Sequence, residues 1–139
     1  MLALTLEGGL AASGPPDVCK VSDSSGQEAS APLPNLFQMS MSDPATACQK
    51  IFFGGAPACN ISTKALVSLG DEKGTGGGLI SSRFAGPGSV SPASASGKVI
   101  LENKPAVSMG AQTHHNGDAA FNTVGCCPLA AQIKVLLGS

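Results

Sequence analysis

The side chains of this 139-residue chain that could do chemistry are few: five cysteines (Cys19, Cys48, Cys59, Cys126, Cys127), two adjacent histidines (His114, His115) and nine acidic residues. Thiols and imidazoles together could supply one tetrahedral zinc. No C-x-x-C or H-x-x-x-H spacing is present, and an odd cysteine count with two neighbours does not resemble a secreted disulfide framework. On a strand, His114 and His115 would point to opposite faces, so at most one of them can be a ligand unless the backbone bends. The competing reading makes His114-His115-Asn116-Gly117 a solvated turn and the thiols small core residues. A cysteine nucleophile would need a histidine and an orienting carboxylate. Cys127, His115 and Asp118 can be named for those roles, but the local sequence matches no nucleophile signature.

The glycine segment Gly70-Asp71-Glu72-Lys73-Gly74-Thr75-Gly76-Gly77-Gly78 invites a phosphate-loop reading. A Walker loop places its lysine after the glycines, whereas Lys73 precedes them. The structural reading is a tight turn between strands expected at 65–69 and 79–82. Gly76, Gly77 and Gly78 would there permit positive φ and close backbone approach, with Asp71, next to Gly70, capping backbone N–H groups.

These groups must be positioned by short strands. Eighteen Gly and ten Pro interrupt any long helix, and no helical periodicity survives more than two turns before residue 128. Segments 50–53, 65–69, 78–81, 98–101 and 133–137 read as strands, each short, apolar or β-branched, with a turn signal beside it. Residues 22–35, rich in Ser, Ala and Pro, read as an extended, partly polyproline connector or surface loop, and residues 86–97, all small, as a second such surface loop. One regularity is internal: Lys50 to Ala58 and Lys98 to Ala106 share the pattern Lys, three apolar residues, three turn residues, Pro-Ala, each followed by a Gly-Asp pair at Gly70-Asp71 and Gly117-Asp118. This predicts a β-hairpin unit used twice in a single mainly β domain over 1–139, with little helix. Two copies are too few for a solenoid.

Composition excludes several classes. The net charge is -1 with no basic run, so nucleic acid is an unfavoured partner. The opening Leu2-Ala3-Leu4-Thr5-Leu6 has no preceding basic residue and stops at Glu7, unlike a signal peptide, and no apolar run approaches the roughly 20 residues needed to span a bilayer. A cytoplasmic, soluble start is expected. Lys50, Lys98 and Lys104 could mark a docking face, or could simply keep sheet edges from pairing with one another.

Five stretches in order carry a resemblance: Pro16-Asp17-Val18-Cys19-Lys20, Pro32-Leu33-Pro34-Asn35, the 70–78 glycine segment, Thr113-His114-His115-Asn116, and Asn122-Thr123-Val124-Gly125 with Gln132-Ile133-Lys134-Val135-Leu136. Together they resemble the PAAR-like family of type VI secretion systems. The resemblance implies a compact tapering cone of short β-hairpins whose base caps a trimeric VgrG spike and whose apex leads through the target membrane. It implies a structural protein and not an enzyme, cytoplasmic before firing and then delivered on the spike, one monomer per trimer, linked where required to a toxin effector or adaptor. The family also binds a metal near the apex through His and Cys. That implies zinc held by His114 and Cys19 with Cys126 or Cys127. Cys48, Cys59, the Cys126-Cys127 pair and the 86–97 stretch depart from the family pattern. With the chain ending three residues beyond Leu136, a stand-alone tip or an excised tip domain is expected. Two rivals stand beside it: a zinc-stabilised β binding module unrelated to secretion, and a small cysteine-dependent hydrolase.

Overall fold

The computed structural model describes residues 1–82, 84–117 and 119–138; Asp118, named above in the second Gly-Asp pair and beside Cys127 and His115, lies outside them. The described residues form twelve short strands: β1 (Gly9–Ser13), β2 (Asp17–Ser22), β3 (Glu28–Leu33), β4 (Leu36–Gln38), β5 (Phe52–Phe53), β6 (Ala56–Pro57), β7 (Lys64–Ala65), β8 (Gly88–Val90), β9 (Ile100–Leu101), β10 (Lys104–Pro105), β11 (Gln112–His115) and β12 (Thr123–Ala130). Three 3-10 turns complete the regular structure, and no α-helix occurs among the described residues. The expected mainly β class is observed.

Six strands form one sheet in the order β4-β1-β12-β11-β8-β7. Its two ends approach one another, because Ser42 bridges Ala65 and Leu36 bridges Leu69, so the sheet curls into a nearly closed barrel. Inside it lie Leu4, Ala11, Phe37, Met39, Cys59, Ala65, Val90, Val107, Ala111 and Cys127. With so few aromatics, one ring does much of the filling. Phe37 lies directly on Gly88, where a Cβ would fall 2.2 Å from the ring, so only glycine fits there.

The predicted hairpin duplication is present and extends well beyond the hairpins. β5 pairs with β6 through Phe52↔Pro57 and Phe53↔Ala56, and β9 with β10 through Ile100↔Pro105 and Leu101↔Lys104, the same register in both. Each has a two-residue turn with positive φ at both positions, Gly54 and Gly55 in one, Glu102 and Asn103 in the other, which is the geometry of a type I′ hairpin. The 3-10 turns Pro44–Thr46 and Pro92–Ser94 stand at the same offset.

A third copy is assembled from the two chain ends. Ala58 N donates to Ile51 O and Ala106 N to Val99 O, both 2.9 Å, and Ala3 N donates to Val135 O at 3.0 Å in the equivalent place. Leu2 bridges Leu136 as Pro57 faces Phe52 and Pro105 faces Ile100. The copies join cyclically: Thr5 bridges Ala58, Asn60 bridges Ala106, and Ser108 bridges Ala3. Leu6 N to Pro57 O, Ile61 N to Pro105 O and Met109 N to Leu2 O repeat that cycle in hydrogen bonds. The result is a pseudo-threefold plate, called the base below. Its interior is built in triads, Ala3, Ala58 and Ala106, then Leu137, Phe53 and Leu101, then Val135, Ile51 and Val99, with Cys48 among them.

Several expectations are corrected. Residues 22–35 are not a loop: Glu28–Leu33 is a six-residue strand paired throughout with Asp17–Ser22, and the turn between them is held by Asp23, whose Oδ1 accepts from Ser25 N and Gln27 N. Small and Pro-containing sequence hid an edge strand, where a proline that donates no hydrogen bond is tolerated. Residues 86–97 contain the wholly buried β8 and a 3-10 turn. Residues 78–81 form no strand; Gly78 makes one bridge to Cys19 and the chain turns away. Of 65–69 only Ala65 lies in a strand, β7, with Leu69 making one bridge to Leu36, and in 133–137 only Leu136 makes a bridge, to Leu2.

Candidate functional site

Each barrel strand runs between the base and the opposite end, and at that opposite end the connections converge on a buried polar cluster. β2 brings Asp17 and Cys19, two residues apart and therefore on one face. The residue before β4 is Asn35, the segment after β7 brings Ser68 and Asp71, the end of β11 brings His115 and Asn116, and the start of β12 is preceded by Asn122. Asp17, Asn35, Ser68, Asp71, His115 and Asn116 are all at or near zero exposure.

The hydrogen bonds form one network. Asn35 Nδ2 donates to Asp17 Oδ2 and to Ser68 Oγ, each at 3.0 Å, and its Oδ1 faces His115 Nδ1 at 2.7 Å. An amide oxygen only accepts, so His115 carries its proton on Nδ1 and receives the Thr113 hydroxyl on Nε2 at 2.8 Å. Asn116 Nδ2 donates to both Asp17 Oδ2 and Asp71 Oδ2, while its Oδ1 accepts from Gly86 N at 2.7 Å. Asn122 Nδ2 donates to Asp17 Oδ1. Asn116 adopts φ +57, a conformation Asn tolerates better than most residues, and this turns its amide inward.

The glycine segment closes the cluster from one side by lying backbone to backbone on β2, with Gly76 N to Lys20 O at 3.0 Å and Lys20 N to Gly77 O at 2.9 Å. At Gly74 a Cβ would sit 2.5 Å from Cys19 Cβ, and at Gly76 2.6 Å from Lys20 Cβ. At Gly78 it would strike the Asn122 side chain, and Gly70 and Gly77 have positive φ. Asp71 does not cap its own turn as expected. Its Oδ2 reaches across to Ala85 N at 3.1 Å, and Glu72 Oε2 takes Gly70 N instead.

Burial controls the protonation of these groups. Desolvation pushes the Cys19 thiol up to about 12, with the negative charge of Asp17 adding to it, and raises Asp71 above the usual carboxylate range. It pushes His115 down to about 4, so the imidazole is neutral. Cys59 and Cys127 are likewise pushed up, to about 12 and about 11, by burial in the barrel core. A nucleophilic thiol needs the opposite shift. Both ring nitrogens of His115 are engaged by Asn35 and Thr113, and the Cys127 thiol faces Leu129 O at 3.4 Å.

The four residues named for a metal are not gathered into one group. His114 stacks on Phe121 with ring centroids 3.8 Å apart, Cys126 is exposed on β12 opposite Gln112 and Ala12, and Cys127 is in the barrel core. Among the described residues the potential metal-holding group is Asp17, Cys19 and Asp71, whose ligand atoms all lie within 4.8 Å of one another and are buried. The donor set suits a divalent metal, since a thiolate and two carboxylates are ordinary zinc ligands. Asp71 Oδ1 is buried with no hydrogen-bond partner, which a cation would satisfy.

Asp17, Asn35, Asn116 and Asn122 were not singled out by chemistry in the sequence. Yet each sits in one of the five stretches that carry the resemblance, as does Asp71, and the fold brings all of them to this one cluster except Gln132 to Leu136, which lies in the base. The profile of the family described as Toxin PAAR-like domain matches residues 10–125, and the chain belongs to that family. No curated protein matches the chain. No solved structure matches it. The family match leaves out residues 1–9 and 126–139, from which most of the third copy of the base is made.

Proposed function

We propose that this domain caps the end of a trimeric VgrG spike in a type VI secretion system, and that the base is its docking face. The observation that carries this reading is a triad of exposed apolar side chains at equivalent positions of the three copies: Phe52 (54 % exposed), Ile100 (55 %) and Leu136 (70 %). The residues on either side of each, Ile51 and Phe53, Val99 and Leu101, Val135 and Leu137, are packed in the base interior. Alternation along an extended strand therefore turns the triad outward, away from the core. A single chain that imitates a threefold axis suits a partner that possesses one, because each hairpin can then meet the same patch of a different protomer. Large apolar groups held on a rigid plate serve such a contact better than they serve solubility.

The role is mechanical: rigidity and tight seating, with no catalytic step, and with a toxin effector or adaptor joined where one is carried. The domain would wait in the cytoplasm and leave on the spike. Light scattering on the chain mixed with the C-terminal β-helix of the VgrG spike from the same genome tests this. The expected result is a complex heavier than the trimer by one 13.7 kDa chain, lost when Phe52, Ile100 and Leu136 are all replaced by Ser. Separate elution at every ratio overturns the reading and promotes the unrelated binding module.

Zinc belongs to the same proposal, held by Asp17, Cys19 and Asp71 at the end away from the spike, where it would tie β2 to the glycine segment. Zinc content after dialysis should be about one equivalent per chain, retained in His114→Ala and lost in Asp71→Asn. Retention in Asp71→Asn with loss in His114→Ala would restore the histidine set.

A further inference from the structure

The three copies of the base share more than their apolar triad. Lys50, Lys98 and Lys134 occupy equivalent positions, two residues before Phe52, Ile100 and Leu136, and all three are exposed. Each of the three lysines stands in a bend just ahead of the extended stretch, at the same step of the cycle. Their surroundings are not copied. Lys50 N donates to Glu102 Oε1 at 3.0 Å, Lys98 N to Ser96 Oγ at 3.3 Å, and Lys134 N to Gln132 Oε1 at 2.8 Å. Three unrelated acceptors hold the same stretch of backbone in place, and the exposed apolar residue itself varies among Phe, Ile and Leu. The lysine is identical in all three.

Charge is also unevenly placed along the molecule. The base carries these three lysines, Lys104 and the terminal amine against Glu102, Asp43 and Glu7, which lines one hollow with Lys134, while Asp17, Asp23, Glu28, Asp71 and Glu72 lie with Lys20 and Lys73 on β2, β3, the turn between them and the glycine segment at the far side. A net charge of -1 thus conceals a basic base. Lys104 is not part of the ring, since its Nζ is drawn to Ser62 Oγ at 2.9 Å. Lysines serving only to keep strand edges apart have no need to recur at one position of a cycle.

From this we infer that the base recognises a threefold end surface in which an apolar centre is ringed by carboxylates, one from each protomer, facing Lys50, Lys98 and Lys134. The inference rests on the spike-tip reading and specifies the chemistry of the partner's end. Such a ring speeds and orients encounter, and it rejects trimers whose ends are basic.

The test uses the full chain and the same recombinant VgrG β-helix, with affinity measured from 50 to 500 mM NaCl. Wild type should weaken about tenfold or more over that range, and the triple variant K50E/K98E/K134E should bind about 100-fold more weakly at low salt, by loss of complementary charge. The variant K20E/K73E, with the same kind of reversal away from the base, should bind as wild type. Circular dichroism and thermal melts establish that each variant is folded. Binding that is indifferent to salt and to the triple charge reversal, yet abolished by the Phe52, Ile100 and Leu136 substitutions, overturns the carboxylate ring and leaves the docking face standing. Absence of binding by wild type at every salt concentration overturns both.

Discussion

Asn35 stands between an acid and a base: its amide nitrogen faces Asp17 and its amide oxygen faces His115. That arrangement fixes the histidine as the neutral Nδ1–H tautomer, and a pH dependence follows. A folded-state pKa of about 4, against an ordinary value near 6.5, means the unfolded chain binds more protons between those values. The stability contributed is present above about pH 6.5 and is lost as pH falls through about 4, amounting to at most ~3 kcal/mol. Asp71, raised by burial, has the opposite sign, its contribution being lost as pH rises through its own folded pKa. The two are separated by substitution. Denaturant midpoints of wild type should fall between pH 6.5 and 4.5 more steeply than those of His115→Gln; equal slopes would show that His115 is not the titrating group. A second residue-scale prediction concerns Gly74, whose missing Cβ admits Cys19. Gly74→Ala should destabilise by about 1–3 kcal/mol by overpacking, whereas Gly97→Ala, with no atom within 4 Å of the added carbon, should be close to neutral. Equal melting temperatures for the two variants would mean that the segment yields freely.

At the scale of the hairpin, burial alternates residue by residue, and the proposed docking role falls to the exposed member of each pair. Leu101 is buried among the base triads while Ile100 beside it is exposed. Leu101→Ala should therefore cost about 2–4 kcal/mol of stability through a cavity. Ile100→Ala should leave stability within about 0.5 kcal/mol and reduce affinity for the spike instead. Urea denaturation combined with the binding assay reads both, and a destabilised Ile100→Ala would mean that its side chain packs in the free domain. The duplicated hairpin was legible because its signal is local: an apolar run, two residues able to take positive φ, and a proline at the end of the strand. Strand β3 was not, because in Glu28-Ala29-Ser30-Ala31-Pro32-Leu33 the alternating apolar positions are mostly alanine, a weak strand former, with a proline among them, and the strand is held by its ladder with β2.

The molecule as a whole is a barrel with a pseudo-threefold plate at one end and a polar cluster at the other, and each barrel strand connects the two. Docked as proposed, the plate would cover the axis of its partner. Excess chain should therefore add no second copy to a spike trimer, and light scattering at twofold molar excess should give the mass of the complex with one chain. A higher mass would point to docking on the sides of the spike.

The sequence alone determined the β class, the hairpin repeat, the glycine segment as a close approach of backbones, and the family, because each depends on residue type at short spacing. Only the tertiary structure decided the rest. The third copy of the base has its halves at opposite ends of the chain, so no repeat search along the sequence meets it. Cys19 parted from His114 and joined Asp17 and Asp71, since ligand sets are set by which loops meet at the end of a barrel and not by residue type. Phe52, Ile100 and Leu136 read only as apolar members of short strands, and the closure of the base decided that they face outward. Hydrophobicity records that a side chain avoids water, and packing within the chain decides whether it finds a neighbour there or keeps a face for a partner.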